Sequence, residues 1–189
     1  MAPITDPQDM LDIALHALGT APEWRSVLDE LPAPIYTTDT EGAVTYWNRA
    51  CIDFAGREPR LGRDRWCVTW KLYTTTGERM PHDQCPMADA IREQRVIRDN
   101  IAIAERPDGT RVAFRPYPTP LFDENGVLVG AVNLLIDVTA EQTDVLHEQA
   151  DRCRRLAGVL YSRESNTVLN DMAQRFERTA ADLKADNDL

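Results

Sequence analysis

Three groups of side chains in this 189-residue sequence are of types that can do chemistry. The first is Pro81-His82-Asp83-Gln84-Cys85-Pro86, which sets an imidazole and a thiol three residues apart. Cys-Pro is the dipeptide of haem-regulatory thiolate sites, and either a thiolate or a neutral imidazole can supply an axial bond to iron. His82 and Cys85 are therefore haem-ligand candidates. With Cys67 they still fall short of a zinc site, because no fourth ligand is in sight, and no metal is assigned. The second group is Arg57, Arg60, Arg63 and Arg65, which could hold an acidic partner or an anionic ligand; the plainer reading is a solvated loop that pairs with nearby carboxylates. The third is His147-Glu148. Histidine kinases continue such a pair with a basic residue and a proline and add an ATP-binding domain. Here the run continues Gln149-Ala150-Asp151-Arg152, with too few residues after it for such a domain. His147 reads as a solvated helix residue. No Gly-rich phosphate loop, Ser-His-Asp arrangement or catalytic carboxylate pair is assignable, so the expectation is a protein that is not an enzyme.

The elements that would position these groups follow from periodicity and caps. Asp6-Pro7 opens a helix whose Met10, Leu11, Ala14, Leu15 and Leu18 share a face, with Gly19 as its stop. Pro22 starts a second short helix ending before Leu31-Pro32-Ala33-Pro34. Ile35–Asp39 and Val44–Asn48 are β-rich runs around Thr40-Glu41-Gly42-Ala43 and read as a hairpin. Asn48 is placed to cap a short helix closed by Gly56. Residues 57–86 have no readable period, and Pro86 opens a helix to about Gln94. Three long strands follow, Val96–Arg106, Arg111–Leu121 and Val127–Val138, separated by turns carrying Asp108-Gly109 and Asn125-Gly126. Thr139-Ala140-Glu141-Gln142 has the spacing of a capping box. Leu146, Ala150, Cys153, Ala157 and Leu160 then keep one helix face apolar. After a break at Ser162–Asn166 a last helix carries Leu169, Met172, Ala173, Phe176, Ala180 and Leu183. The class is α+β with an antiparallel sheet.

This order, with its particular turns, resembles a PAS domain. The matching residues are Asp39-Thr40-Glu41-Gly42 before Val44–Trp47, Asn48, Gly56, the two consecutive hairpins, and Asp137-Val138-Thr139, similar to the family's Asp-Ile-Thr exit into a signalling helix. Trp70-Lys71-Leu72-Tyr73 through Pro81-His82-Asp83-Gln84-Cys85-Pro86-Met87-Ala88 resembles a bacterial subgroup of sensory PAS proteins. The resemblance covers residues 23–142, leaving 1–22 as an N-terminal helix and 143–189 as a C-terminal helical signalling or docking extension. It implies a five-stranded antiparallel sheet whose concave face, covered by short helices, holds a small molecule or is filled by side chains. Trp66, Trp70, Tyr117 and Asn133 are the ligand-cavity candidates if they face inward, and Asp137 and Thr139 the signal relay. His82 lies near the helix where haem-binding members carry their axial histidine. Light-sensing members carry an Asn-Cys-Arg-Phe-Leu-Gln type motif; Gly62–Trp70 has Cys67 but neither the asparagine nor the glutamine. Flavin is therefore disfavoured, and Cys67 reads as a small packed hydrophobe.

Charge narrows the partners. Lys and Arg total 21 against 31 Asp and Glu, a net −10 with a pI near 4.8. Such a balance argues against a nucleic-acid partner and an anionic membrane surface, both of which ask for a basic face. No apolar run spans a bilayer, and four scattered cysteines without a CxxC pair suit reduced thiols in a cytoplasm. The expectation is a stand-alone cytoplasmic sensor or interaction module. It would couple cavity occupancy or packing to its C-terminal helices, form a homodimer, and engage a protein partner of a signalling pathway. A haem-binding gas or redox sensor using His82 or Cys85 and a ligand-free dimerisation adaptor are the alternatives.

Overall fold

The computed structural model describes residues 6–159 and 162–184. Helix α1 (Pro7–Thr20) starts where Asp6 accepts hydrogen bonds from the amides of Gln8 and Asp9 at 2.7 and 3.3 Å, with Pro7 in the first turn. It passes the expected stop at Gly19 by one residue. Helix α2 (Trp24–Asp29) follows, then the hairpin β1 (Ile35–Thr38) and β2 (Val44–Trp47). The Asp39 carboxylate closes that turn by accepting from the amides of Glu41 and Ala43. Helix α3 (Ala50–Ala55) ends on Gly56 in the left-handed region. Next come β3 (Lys71–Tyr73), β4 (Arg79–Met80), a 3₁₀ turn at His82–Gln84 and α4 (Pro86–Glu93). The chain finishes with β5 (Ala102–Glu105), β6 (Arg111–Pro116), β7 (Thr119–Phe122), β8 (Leu128–Asp137), α5 (Thr139–Val159) and α6 (Arg163–Lys184).

The strands form one antiparallel sheet of eight, ordered β2-β1-β8-β6-β5-β3-β4, with β7 also on β8. Two local events raise the expected five strands to eight. The run Arg111–Leu121 breaks at Tyr117-Pro118 because the Tyr117 amide turns to the Asn133 side chain and the Leu134 carbonyl, so β6 and β7 pair β8 in succession. The aperiodic stretch also contributes the small hairpin β3–β4, which adds to the free edge of β5. Strand β5 is shorter than expected, since Asp99 turns into the left-handed region before it.

Side chains alternate across the sheet. On the concave face Tyr36, Val44, Leu72, Ala102, Ala104, Val112, Phe114, Ala131 and Leu135 pack with Cys51, Phe54, Val68, Met87 and Ile91, under α3 and α4. The opposite face is shared by two helix pairs. Met10, Leu11 and Leu28 of α1 and α2 cover Ile35, Val132 and Leu134, while Leu146, Ala180 and Leu183 of α5 and α6 cover Ile103 and Ala113. The seam between α5 and α6 is Ala150, Cys153 and Ala173, flanked by Leu169 and Phe176. Leu160, part of the expected α5 stripe, lies outside the described residues. No helix among the described residues is long and apolar enough to cross a membrane.

Two expected caps take a different form. Asn48 does not cap α3. Its buried amide instead accepts from the Ile35 amide at 3.0 Å and donates to the carbonyls of Leu28 and Ala33 at 3.1 and 3.0 Å, tying α2 and its exit loop to β1. The Thr139 hydroxyl does not close a capping box either. It accepts from the Ala113 amide at 3.1 Å and so fastens the start of α5 to β6, while Asp137 accepts from the Thr139 amide at 2.8 Å.

Candidate functional site

Buried polar groups carry the information in an otherwise apolar interior, because each must be satisfied in place. Strands β1 and β8 run side by side, with Tyr36 opposite Asn133. The Asn133 side-chain amide donates to the Tyr36 hydroxyl at 3.0 Å, and its oxygen accepts from the Tyr117 amide at 2.9 Å. The Tyr36 hydroxyl in turn donates to the Trp66 carbonyl at 2.9 Å. Burial, with the thiols of Cys67 and Cys85 alongside, holds the Tyr36 phenol well above its usual range, so it stays a donor.

Trp66 is the junction of this network. Its φ is +67°, which a bulky side chain adopts only at a cost of about 1 kcal/mol or more. The conformation is held from three sides. Its amide donates to the Gly42 carbonyl at 2.7 Å, its carbonyl receives Tyr36, and its indole lies on Gly42 so closely that a Cβ there would sit 2.4 Å from the ring. Gly42 itself has φ +84°, so both the turn and the indole require glycine at that position.

Beyond Trp66 the network reaches the surface. Thr69 is buried and its hydroxyl lies 3.2 Å from the Cys67 sulfur; the Nε2 of His82 lies 3.2 Å from the Thr69 carbonyl. Burial lowers the His82 pKa, assisted by the Arg79 and Arg57 charges, which keeps its ring neutral at pH 7. Burial pushes the Cys85 thiol up to about 12 and raises Cys67 as well, so both are thiols rather than thiolates. Trp66, Cys67, Thr69 and His82 line an open cleft of ≈ 470 Å³ together with Arg57, Arg60, Arg63 and Arg65. Arg57 is the structural member. Its guanidinium pairs with Asp64 at 2.8 Å and donates to the carbonyls of Val68 and Thr69.

The expected site residues thus separate. Asn133 and Trp66 belong to one hydrogen-bonded path, while His82 and Cys85 flank it: His82 at the cleft, Cys85 buried with its sulfur 3.8 Å from the Trp66 carbonyl. Trp70 is 44% exposed, with the Lys71 ammonium 4.1 Å from its ring centroid. Tyr117 packs on the opposite face of the sheet and joins the path through its backbone amide alone. Asp137 and Thr139 stand at the exit of β8 and the entry of α5. His147 is not simply solvated, since its Nδ1 lies 3.1 Å from Glu177 on α6. The sequence reading did not single out Tyr36, Asp64 or Thr69. Among the described residues no group of three or more His, Cys, Asp or Glu is placed to hold a metal ion.

Comparison with known proteins gives a family but no functional relative. A family model described as PAS fold matches residues 28–143, more than half of the chain. No curated protein matches the sequence. Among solved structures the chain is similar to a LOV protein of Rhodobacter sphaeroides, with 14% identity, 96% of this chain and 97% of that one covered, and a TM-score of 0.49. It is also similar to the LOV domain of the blue-light activated histidine kinase EL346 of Erythrobacter litoralis, with 22% identity, 58% and 98% coverage, and a TM-score of 0.45. A PAS domain of a protein from Colwellia psychrerythraea shows 16% identity, 61% and 94% coverage, and a TM-score of 0.43. At such scores these neighbours carry nothing about ligand or chemistry.

Proposed function

The chain belongs to the PAS fold family, and we propose that it is a cytoplasmic sensor module whose C-terminal helices report changes at the cleft beside Trp66. In this reading residues 23–142 are the sensor domain, 1–22 the N-terminal helical segment and 143–189 the signalling extension. The observation that supports it is the hydrogen-bonded path from Trp66 through the Tyr36 hydroxyl to Asn133 on β8. Four residues beyond Asn133, β8 ends at Asp137, whose carboxylate holds the Thr139 amide at the start of α5. A change that moves the Trp66 carbonyl must re-place the Tyr36 hydroxyl or leave it unsatisfied, at about 1–3 kcal/mol for a buried group. That is enough to shift a two-state element several-fold, provided the signal differs in affinity for the two states.

Signal output in this reading is a rearrangement of α5 and α6, which either exposes the sheet face they cover or presents them to a protein partner or a second copy of the chain. Non-enzymatic transmission of this kind needs no reacting group, and the thiols held un-ionised by burial suit it. Hydrogen exchange on Tyr36→Phe and Thr139→Ala tests the reading, with α1 as the internal reference. Both variants should speed exchange in α5 and α6 about tenfold relative to α1. A uniform change across all helices would mean that only global stability had moved, and the coupling would be abandoned.

Haem ligation by His82 or Cys85 makes a separate demand. Ligation through the His82 Nε2 would require it to leave the Thr69 carbonyl, and ligation through Cys85 would require it to ionise from a pKa of about 12. An absorption spectrum after haem addition decides it: a Soret band lost in His82→Ala or Cys85→Ala would replace the hydrogen-bond path with axial chemistry.

A further inference from the structure

The cleft beside Trp66 is electropositive in a chain whose net charge is −10. Four guanidiniums line it against two carboxylates, Asp64 and Asp83. Asp64 is nearly buried and already engaged, at 2.8 Å from Arg57 and 3.5 Å from Arg60. Arg65 donates to the Glu41 carbonyl and lies 3.9 Å from the Glu41 carboxylate. The Arg63 side chain makes no ion pair or hydrogen bond among the described residues, and Arg60 remains 64% exposed despite its long contact with Asp64. The Nε of Arg57 is buried without a hydrogen-bond partner. A desolvated donor, the unpaired Arg63 guanidinium and the largely exposed Arg60 guanidinium, with cations still in excess once Glu41 is counted, form a receptor for a phosphate-type oxyanion, for which the planar guanidinium fork is suited.

Size and shape add to the charge. A volume of ≈ 470 Å³ lies in the range of small-molecule sites, about 300–1,000 Å³, and far exceeds a bare phosphate. Trp66 and Trp70 line the same cleft and offer indole surface for a flat carbon skeleton. The geometry points to a small aromatic phosphate monoester as the ligand of this cleft, its phosphate on Arg60 and Arg63 and its ring against the tryptophans. This inference rests on the sensor reading above for its consequence, because Trp66 is both a wall of the cleft and the acceptor for Tyr36; binding itself does not need that reading.

Isothermal titration of the full chain tests it with phenyl phosphate, inorganic phosphate and benzoate as probes. Phenyl phosphate should bind one per chain, more tightly than inorganic phosphate, which lacks the ring, and more tightly than benzoate, which carries a single charge. Arg63→Ala removes a side chain with no structural partner, so it should fold normally and weaken phenyl phosphate about tenfold. Arg63→Lys should recover part of that loss, and Arg25→Ala, on α2 and outside the cleft lining, should leave the affinity unchanged. Equal affinity in wild type and Arg63→Ala, no binding of any probe, or benzoate binding as tightly as phenyl phosphate would each overturn the assignment. Hydrogen exchange at saturating phenyl phosphate separates the two readings. Binding without a response in α5 removes the coupling and keeps the site; a response of α5 to Tyr36→Phe without binding removes the site and keeps the coupling.

Discussion

One face of the sheet carries two helix pairs that share buried apolar contacts but differ in their polar attachments. Helices α1 and α2 are seated by Met10, Leu11 and Leu28, all essentially inaccessible. Trp24 packs edge-on against Tyr46 at 4.9 Å, the Tyr46 hydroxyl donates to Asp29 at 2.6 Å, and Asn48 ties their exit loop to β1. Helices α5 and α6 meet along a narrow seam of Ala150, Cys153 and Ala173 and touch the sheet through Leu146, Ala180 and Leu183. Their remaining attachment includes ion pairs, Arg111–Asp182 at 2.7 Å, Arg115–Glu141 at 3.1 Å and Arg154–Glu177 at 3.0 Å, with the His147 Nδ1 also 3.1 Å from Glu177. Burying a Leu contributes about 1.5–3 kcal/mol, whereas an exposed ion pair contributes about 0–1 kcal/mol. Both pairs bury leucines completely, but the N-terminal pair adds buried hydrogen bonds and the C-terminal pair adds exposed, salt-sensitive ion pairs; the proposed signalling role predicts that the second kind of attachment releases first.

The sharpest way to break this comparison is at Asn48. Asn48→Ala takes this partner from the buried Ile35 amide and Ala33 carbonyl, while the Leu28 carbonyl keeps the Leu31 amide, and an unmade buried hydrogen bond costs about 1–3 kcal/mol. Denaturant unfolding should show a loss of about 3 kcal/mol or more for the whole domain. A loss under about 1 kcal/mol would mean that α2 is as loosely held as α6.

A smaller and more local effect is expected in acid. Glu105 on β5 is held down to about 2; burial opposes this, but Lys71 at 2.6 Å and Arg111 at 2.8 Å outweigh it, with Tyr73 assisting. Its carboxyl is depressed from an ordinary value of 4.5, so its stabilisation is complete above that value and is lost as the pH falls from there toward about 2. Arg111 is also the residue that holds Asp182 of α6. Amides of α6 should therefore lose exchange protection in this window before those of β1 and β8. Simultaneous loss would contradict a separately released C-terminal pair.

How legible each region was in the sequence follows from the same physics. The hairpins were readable because Asp39…Gly42, Asp108-Gly109 and Asn125-Gly126 are local turn chemistry, and α1 because Asp6-Pro7 is a local cap. The path through Tyr36 was not. Strand β1 is buried on both faces throughout, so no alternation marks which residues face the interior. Of the cavity candidates, Asn133 faces Tyr36 across β1 and β8, whereas Tyr117 lies on the other face and contributes only a backbone amide. The stretch 57–86 hid β3–β4 because two- and three-residue strands at an edge carry no period. Asn48 and Thr139 had the right residue type for caps but found distant backbone partners, which only tertiary structure supplies.

The smallest expected effect isolates the attachment of α6 itself. Asp182 is 51% exposed and pairs with Arg111 at 2.7 Å. Asp182→Asn removes the charge with little change in shape. Arg111 keeps Glu105 and its position 4.3 Å from the Tyr73 ring centroid, so the sheet should be undisturbed. Global stability should fall by less than about 1 kcal/mol, as for other exposed pairs. Exchange along the C-terminal half of α6 should nonetheless quicken by a few-fold, with α1 unchanged. Raising the salt to about 1 M shortens the screening length to roughly 3 Å, so the wild type should approach the variant in α6 exchange. If salt left α6 unaffected, Leu183 and Ala180, both fully buried, would be sufficient to hold it, and the two helix pairs would differ in composition but not in how readily they leave the sheet.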